Sequence, residues 1–374
     1  MKPSTVPFLE ALQDVSAGNT KIPQSEFLAA GSLAVVDQGQ SLVAGYTDDL
    51  SSTVEADAPV IVFGDHTRAL KYVDFPFTMG ADGVKVLRAR DGFDPKFVYR
   101  YLQSRKILSA GYSRHYKFLK EIAVPKPPLV EQRRIAAILD HADALREKRR
   151  QVLAHLDALT QSIFREMFGD PASNPRGWGP RRLGDLAAKF SDGPFGSNLK
   201  SSHYVPTGVR VVRLQNIGVG RFIDADAAFV TPEHFASLLK HECLPGDVLI
   251  GTLGDPNLRA CIQPAEIRKA LNKADCVQMR VDPAVAHEAW ACWLLNMPGT
   301  LSLATSRMHG QTRTRIAMGQ LRELTVPAPP IVLQREFAAR LKKVEAERRD
   351  VRRAISAEDD LFSSLQSRAF GGEL

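Results

Sequence analysis

The chain has no run of 18 apolar residues, so nothing in it reads as a membrane-spanning helix. Its opening stretch, MKPSTVPFLEALQDV, places Glu10 and Asp14 early and has no apolar run of the kind a secretory leader needs, so it is expected to belong to a folded domain. Cysteine is scarce. Cys243, Cys261, Cys276 and Cys292 lie far apart with no C-x-x-C among them. That argues against a metal site and predicts a reduced protein of the cytoplasm. Motifs for phosphate, acyl or zinc chemistry are missing too: there is no G-x-x-x-x-G-K-[ST] loop, no G-x-G-x-x-G after a strand, no H-E-x-x-H and no G-x-S-x-G. GTLGDPNLRA at 251–260 has glycines, but not at phosphate-cradling spacing. PKPPL and PAPPI lack the polar first residue and the aromatic of an amino-methyltransferase signature. Asp65 and His66 are neighbours, but adjacent strand residues face opposite ways, so a structural histidine is expected there. These absences argue against an enzyme.

What is present is enough apolar sequence, 44%, to build real cores, over a length that predicts two or three domains. The formal net charge is +7 and is unevenly placed. Residues 1–128 carry 15 basic and 14 acidic side chains, 129–170 carry 7 and 7, 171–325 carry 18 and 13, and 326–374 carry 9 and 8. The surplus in the third segment suits an anionic partner.

A repeat organises the chain. VPKPPLVEQRRIAAIL at 124–139 matches VPAPPIVLQREFAARL at 326–341, an offset of 202 residues. Extended without gaps from Val124 to Asp170, more than a third of the positions are identical. Each copy predicts one long helix. The prolines at 125, 127 and 128 hold the entry extended. No Gly or Pro then occurs from Leu129 to Phe168, and Gly169 with Pro171 supplies the stop. At 1.5 Å per residue this is a rod of roughly 60 Å. Ile138, Ala142, Leu145, Arg149, Val152, Leu156, Leu159 and Ile163 alternate four and three apart, as a coiled-coil seam does. Leu341, Val344, Arg348, Val351, Ile355, Glu358, Phe362 and Leu365 repeat the rhythm in the second copy, with Glu358-Asp359-Asp360 breaking it. Neither rod buries its stripe alone. The two are expected to pair antiparallel and hold the globular halves at opposite ends in an approximate two-fold relation, the alternative being that each packs only on its own half. The predicted domains are 1–123, 124–170, 171–325 and 326–374.

Both globular parts read as mixed α/β. Strands are predicted at 32–38, 59–65 and 83–90, and at 209–217 and 246–253. Helices are predicted at 94–107, with Asp94 as cap and Pro95 in the first turn, and at 287–297. The strand order stays open. Four segments suit nucleic-acid contact: GYSRHYKFLK with Tyr112, Arg114, His115 and Lys117; GSNLKSSHY with Lys200; RLQNIG with Arg213, Gln215 and Asn216; and MHGQTRTRI with Gln311, Arg313 and Arg315. Arg and Gln can read guanine and adenine edges, while Lys and Tyr reach phosphates. Each segment alone reads more readily as a solvated loop; their occurrence in two related halves favours DNA.

LVEQRRIAAILDHADALREKRRQVLAHLDALTQSIFREMFGDP resembles the central region of specificity (S) subunits of type I restriction–modification systems. The globular parts resemble their target recognition domains, in IPQSEFLAAGSLAVVDQGQSLVAGYTDD and DGPFGSNLKSSHYVPTGVRVVRLQNIGVGRFID among others. The likeness runs along nearly the whole chain. It implies two mixed α/β target recognition domains separated by two long antiparallel coiled-coil helices, an internal pseudo-two-fold repeat. It also implies a subunit without a catalytic centre that reads a split, asymmetric site in double-stranded DNA, its helices setting the gap. Two methyltransferase subunits and restriction subunits would be the partners, with S-adenosylmethionine, ATP and Mg on those partners and no cofactor here. The competing reading is a coiled-coil scaffold whose globular domains bind protein.

Overall fold

The computed structural model describes residues 4–55, 59–80, 83–107, 114–254, 256–305 and 315–374. The chain divides into two compact units, Met1–Gln151 with Arg352–Leu374, and Val152–Val351. Each unit contains one globular part, the start of one long helix and the end of the other.

In the first unit, Leu12–Asp14, Val84–Ala89, Val60–Gly64 and Leu70–Val73 form a four-stranded antiparallel sheet in that order. Gly45–Thr47, Leu33–Val36 and Phe77–Met79 form a second sheet, in which the last two strands run parallel. The second unit repeats the plan. Ala187–Asp192, Cys276–Val281, Val248–Gly251 and Ala260–Ile262 form the antiparallel sheet. Ala228–Val230, Val209–Val212, Ala270–Asn272 and Glu242–Cys243 form the other, again with one parallel pair, Val209–Val212 beside Ala270–Asn272. Glu242–Cys243 is an added edge strand. The 202-residue repeat of the helices therefore extends to the strand order of the globular parts.

Helix Pro95–Ser104 begins as predicted, with Asp94 accepting from Phe97 N and Pro95 in the first turn. Helix Glu288–Leu295 is its counterpart, capped by His287. Each packs on a long helix through a glutamine that the repeat duplicates. Gln132 is fully buried; its Oε1 accepts from Asp94 N at 2.8 Å and its Nε2 donates to Gly92 O and Pro127 O. Gln334, also fully buried, accepts from His287 N at 2.9 Å and donates to Pro329 O. Both glutamines thus satisfy the backbone N–H of a cap residue and a carbonyl of the proline-rich entry. In the first unit Arg100 adds bonds to Asp140 at 2.7 Å and Asp143 at 2.8 Å.

The long helices run Leu129–Phe168 and Ile331–Gly371. In the first unit Arg146 meets Asp359 and Arg149 meets Glu358. In the second, Asp157 meets Arg348 and Glu166 meets Arg340. Rising numbers on one helix meet falling numbers on the other in both units, so the pairing is antiparallel. Apolar packing fills the ends: Phe370 lies 5.7 Å from Phe97 and 5.1 Å from Tyr101, and Phe164, Phe168 and Phe337 form a ring cluster at 5.0–5.6 Å. Burying one such phenylalanine contributes about 1.5–3 kcal/mol.

On the second helix the seam residues Leu341, Val344, Val351, Ile355 and Leu365 are all buried or half-buried. On the first helix half of the expected seam needs correction. Ile138, Leu156 and Ile163 are half-buried, but Leu145, Val152 and Leu159 are 46%, 46% and 41% exposed. The inward column is one residue further on: Leu139, Arg146, Leu153 and Thr160. Hydrophobicity misleads here because Arg146 is placed inward. It pairs with Asp359 and sets its guanidinium 4.2 Å from the Phe362 ring centre. The acidic run that seemed to break the seam completes it, since Glu358 and Asp359 are the partners of Arg146, Arg149 and Arg150.

Gln132→Ala and Gln334→Ala each strip a cap N–H and an entry carbonyl of their buried partner. Each is expected to cost about 2–4 kcal/mol, read as a lower urea midpoint at unchanged slope. A midpoint equal to that of the parent protein would show that the glutamine is not what holds helix and domain together.

Candidate nucleic-acid interface

In the second unit the parallel pair builds the site. Val209–Val212 and Ala270–Asn272 end side by side, with Lys273 N donating to Val212 O at 2.9 Å. The next residues, Arg213 and Lys273, therefore emerge side by side along the edge where the two central strands of the sheet end. Tyr204 sits between them, its ring centre 5.9 Å from the Arg213 guanidinium and 5.3 Å from Lys273 Nζ. Arg213 opens a single 3-10 turn, Leu214–Asn216. Gln215 on that turn is exposed, and Asp226 accepts from both Gln215 Nε2, at 3.0 Å, and Arg213 Nη2, at 2.9 Å. Lys200 is exposed between two further 3-10 turns, Gly196–Asn198 and Ser201–His203, and its amine has no partner among the described residues.

Asn216 has a different place from that expected of a base reader. It is fully buried; its Oδ1 accepts from Arg213 N at 3.0 Å and its Nδ2 donates to Ile223 O and Ala225 O. Its polar atoms shape the turn and the loop beside it. Arg259 supports the same turn from below, donating to Leu214 O, Ile217 O, Leu253 O and Pro256 O. Arg315 is bound to Asp275 at 2.9 Å and stacks near Phe195. Gln311 and Arg313 lie outside the described residues.

The first unit has the same edge with different occupants. Leu33–Val36 and Phe77–Met79 run parallel, and Gly80 N donates to Val36 O at 2.9 Å, as Lys273 N does to Val212 O. Asp37 and Gly80 therefore hold the positions of Arg213 and Lys273. Lys71, 4% exposed, binds Asp37 through its backbone oxygen at 2.8 Å and its carboxylate at 3.3 Å. Burial pulls the Lys71 ammonium below the usual lysine range, against the pull of Asp37. Arg114 and Lys117 are exposed, whereas His115 is 1% exposed and is bonded at both N and Nδ1 to Asp65 O. Asp65 also accepts from Tyr116 N at 2.7 Å, so Asp65 anchors the segment that carries Arg114 and Lys117. Tyr112 lies outside the described residues.

These strand ends and the loops beside them thus gather donors of different reach. The four cysteines are buried free thiols, and burial pushes Cys276 and Cys292 up to about 12, so neither is a thiolate nucleophile at neutral pH. No group of three or more His, Cys, Asp or Glu that could hold a metal occurs among the described residues. No helix among them is long and apolar enough to cross a membrane. Sequence reasoning missed Lys273, Tyr204, Asp226 and Arg259. Lys273 becomes visible only when the parallel partner of Val209–Val212 is known. Arg259 lies in the 251–260 stretch that its glycines made conspicuous for another reason.

Asn216→Ala removes three buried bonds at one residue and is expected to cost about 2–3 kcal/mol. The amide of Arg213 should lose hydrogen-exchange protection before the sheet does. Protection equal to that of the parent chain would count against the role of Asn216 in holding the turn.

Comparison with known proteins agrees with this architecture. Residues 12–155 match the family described as Type I restriction modification DNA specificity domain. The MjaVIII specificity subunit of Methanocaldococcus jannaschii is 19% identical over 245 residues, 61% of this chain and 56% of that protein. The EcoR124I/EcoR124II specificity subunit of Escherichia coli is 30% identical over 126 residues, 30% of this chain and 31% of its own. The chain thus spans about half the length of the first of these curated relatives and less of the second. A crystal structure of a type I S subunit from M. genitalium shares the fold at a TM-score of 0.60 and 16% identity, covering 99% of both chains. A chain from a structural study of type I R-M complex assembly does so at 0.57 and 16%, covering 100% of this chain and 98% of that one. Residues 12–155 thus resemble the DNA specificity domain of type I restriction–modification systems, and along its length the chain shares the fold of these solved S-subunit structures.

Proposed function

We propose that the chain is the DNA-recognition subunit of a type I restriction–modification complex and that each unit reads one part of a split, asymmetric sequence. The observation that carries this reading is the shared sheet edge. Both units bring two strand ends together by the same backbone bond, yet one edge presents Arg213 and Lys273 and the other Asp37 and Gly80. One frame with two sets of side chains suits two different half-sites. Arg114 and Lys117 would serve the first half, and Lys200, Arg213 and Gln215 the second, with His115 and Asn216 shaping their loops. Tyr112, Gln311 and Arg313 belong to the same proposal by sequence alone. The chain would act without catalysis of its own, in the cytoplasm. Its long helices would carry two methyltransferase subunits, and restriction subunits would join them. S-adenosylmethionine, ATP and Mg would be held by those partners.

The test is a titration of duplex DNA, with methyltransferase present, across a series of salt concentrations. Each phosphate contact contributes about −0.9 to the log–log slope, so Lys200→Ala should flatten the slope by about that amount. Arg213→Ala should remove about 1–3 kcal/mol of discrimination at the second half-site only. A salt-independent response would favour the scaffold reading, in which the globular domains bind protein; equal losses at both half-sites, or none, would count against the assignment of Arg213.

A further inference from the structure

Beside the turn that carries Arg213 and Gln215 runs the segment Ile223–Asp226, and its position is set from within the unit. Buried Asn216 donates to Ile223 O and Ala225 O, each at 3.0 Å, and Ile223 N returns to Asn216 O at 2.8 Å. Asp226 has a φ of 50°, a region that Asp enters more readily than most residues. Its carboxylate lies between the two donors, Gln215 Nε2 at 3.0 Å and Arg213 Nη2 at 2.9 Å. The Gln215 amide, and after it the Arg213 charge, hold the Asp226 carboxyl below the usual carboxylate range. At neutral pH it is ionised and can only accept hydrogen bonds.

An acceptor of this kind decides which way a primary amide faces. Gln215 must turn Nε2 toward Asp226, so Oε1 points away, and Oε1 has no partner among the described residues. A glutamine free to turn over offers a donor to guanine O6 or thymine O4 as readily as an acceptor to an exocyclic amine. We propose that Asp226 is a positioning residue for base selection. By fixing the Gln215 amide, it makes Gln215 read a base that bears an amine on the strand it faces, adenine through N6 or cytosine through N4. This rests on the DNA-recognition reading above. Asp226 is 70% exposed at its side chain and contributes little to the core, so its removal separates reading from folding.

The experiment is selection of randomised duplexes by the full-length protein with methyltransferase present, followed by competition with single-base variants of the selected site. The position that Gln215→Ala makes indifferent is the one Gln215 reads. There the parent protein should prefer adenine or cytosine by about fivefold or more. Asp226→Ala should bring that preference below about twofold and admit guanine or thymine, with the positions that neither Gln215→Ala nor Arg213→Ala alters, and the melting temperature, unchanged. Asp226→Asn, which keeps one acceptor but can also turn over, should fall between. Uniform weakening at all positions, an unaltered preference, or a preference for guanine or thymine at that position in the parent protein would overturn the assignment of Asp226. Failure of the parent protein to select any sequence would instead overturn the DNA reading itself.

Discussion

Everything the globular parts can do depends on how each is fastened to a long helix, and that fastening is a buried amide. Gln132 and Gln334 occupy the first turns of their helices, next to a proline-stiffened entry that cannot supply many N–H donors of its own. Each closes three elements at once: the helix it belongs to, the proline-rich entry segment and the cap of the domain helix. A buried amide with its partners in place is directional in a way that apolar contact is not, because a rotation of the domain would strand both donor and acceptor. The aromatic clusters around Phe370 and Phe337 supply the bulk of the attraction, and the glutamines choose the angle.

The charge on the helices follows a similar division of labour. Arg149 and Glu358 look like two defects, one per helix, until they meet; Arg348 finds Asp157 and Glu345. The exposed pairs contribute little to stability. Their effect is on register, since sliding one helix along the other by a turn would part Arg149 from Glu358 and Arg348 from Asp157. Arg100, Asp140, Asp143, Arg146 and Asp359 extend this into a chain of ion pairs through the first unit, from domain helix to first long helix to second. The second unit replaces such a chain with packed phenylalanines.

Local structure was readable wherever one residue type had a single physical meaning. Asp94-Pro95 announced a helix start, the gap in Gly and Pro from 129 to 168 announced a rod, and β-branched runs announced the strands at 33–36, 60–64 and 84–89. What needed coordinates was anything decided by a distant partner. Leu145 and Arg146 compete for one inward place, and only Asp359 and Phe362 on the other helix settle it. His115 and Asn216 have the chemistry of base readers but spend it on the backbone of Asp65, Ile223 and Ala225. Asp226 has no motif at all, and its significance comes from the two side chains that converge on it.

The edge formed by the parallel strands has a consequence for inheritance. Residues 37 and 213 stand one step beyond the last paired residue of a strand, so their side chains can be exchanged without losing a ladder bond, although exchange at 37 also takes a carboxylate from the buried Lys71. If the proposed DNA reading holds, tolerance of change and contact with the target would coincide at the same few codons. A lineage carrying this frame would then acquire a new preference in one half through single substitutions, and the unaltered half would keep its own.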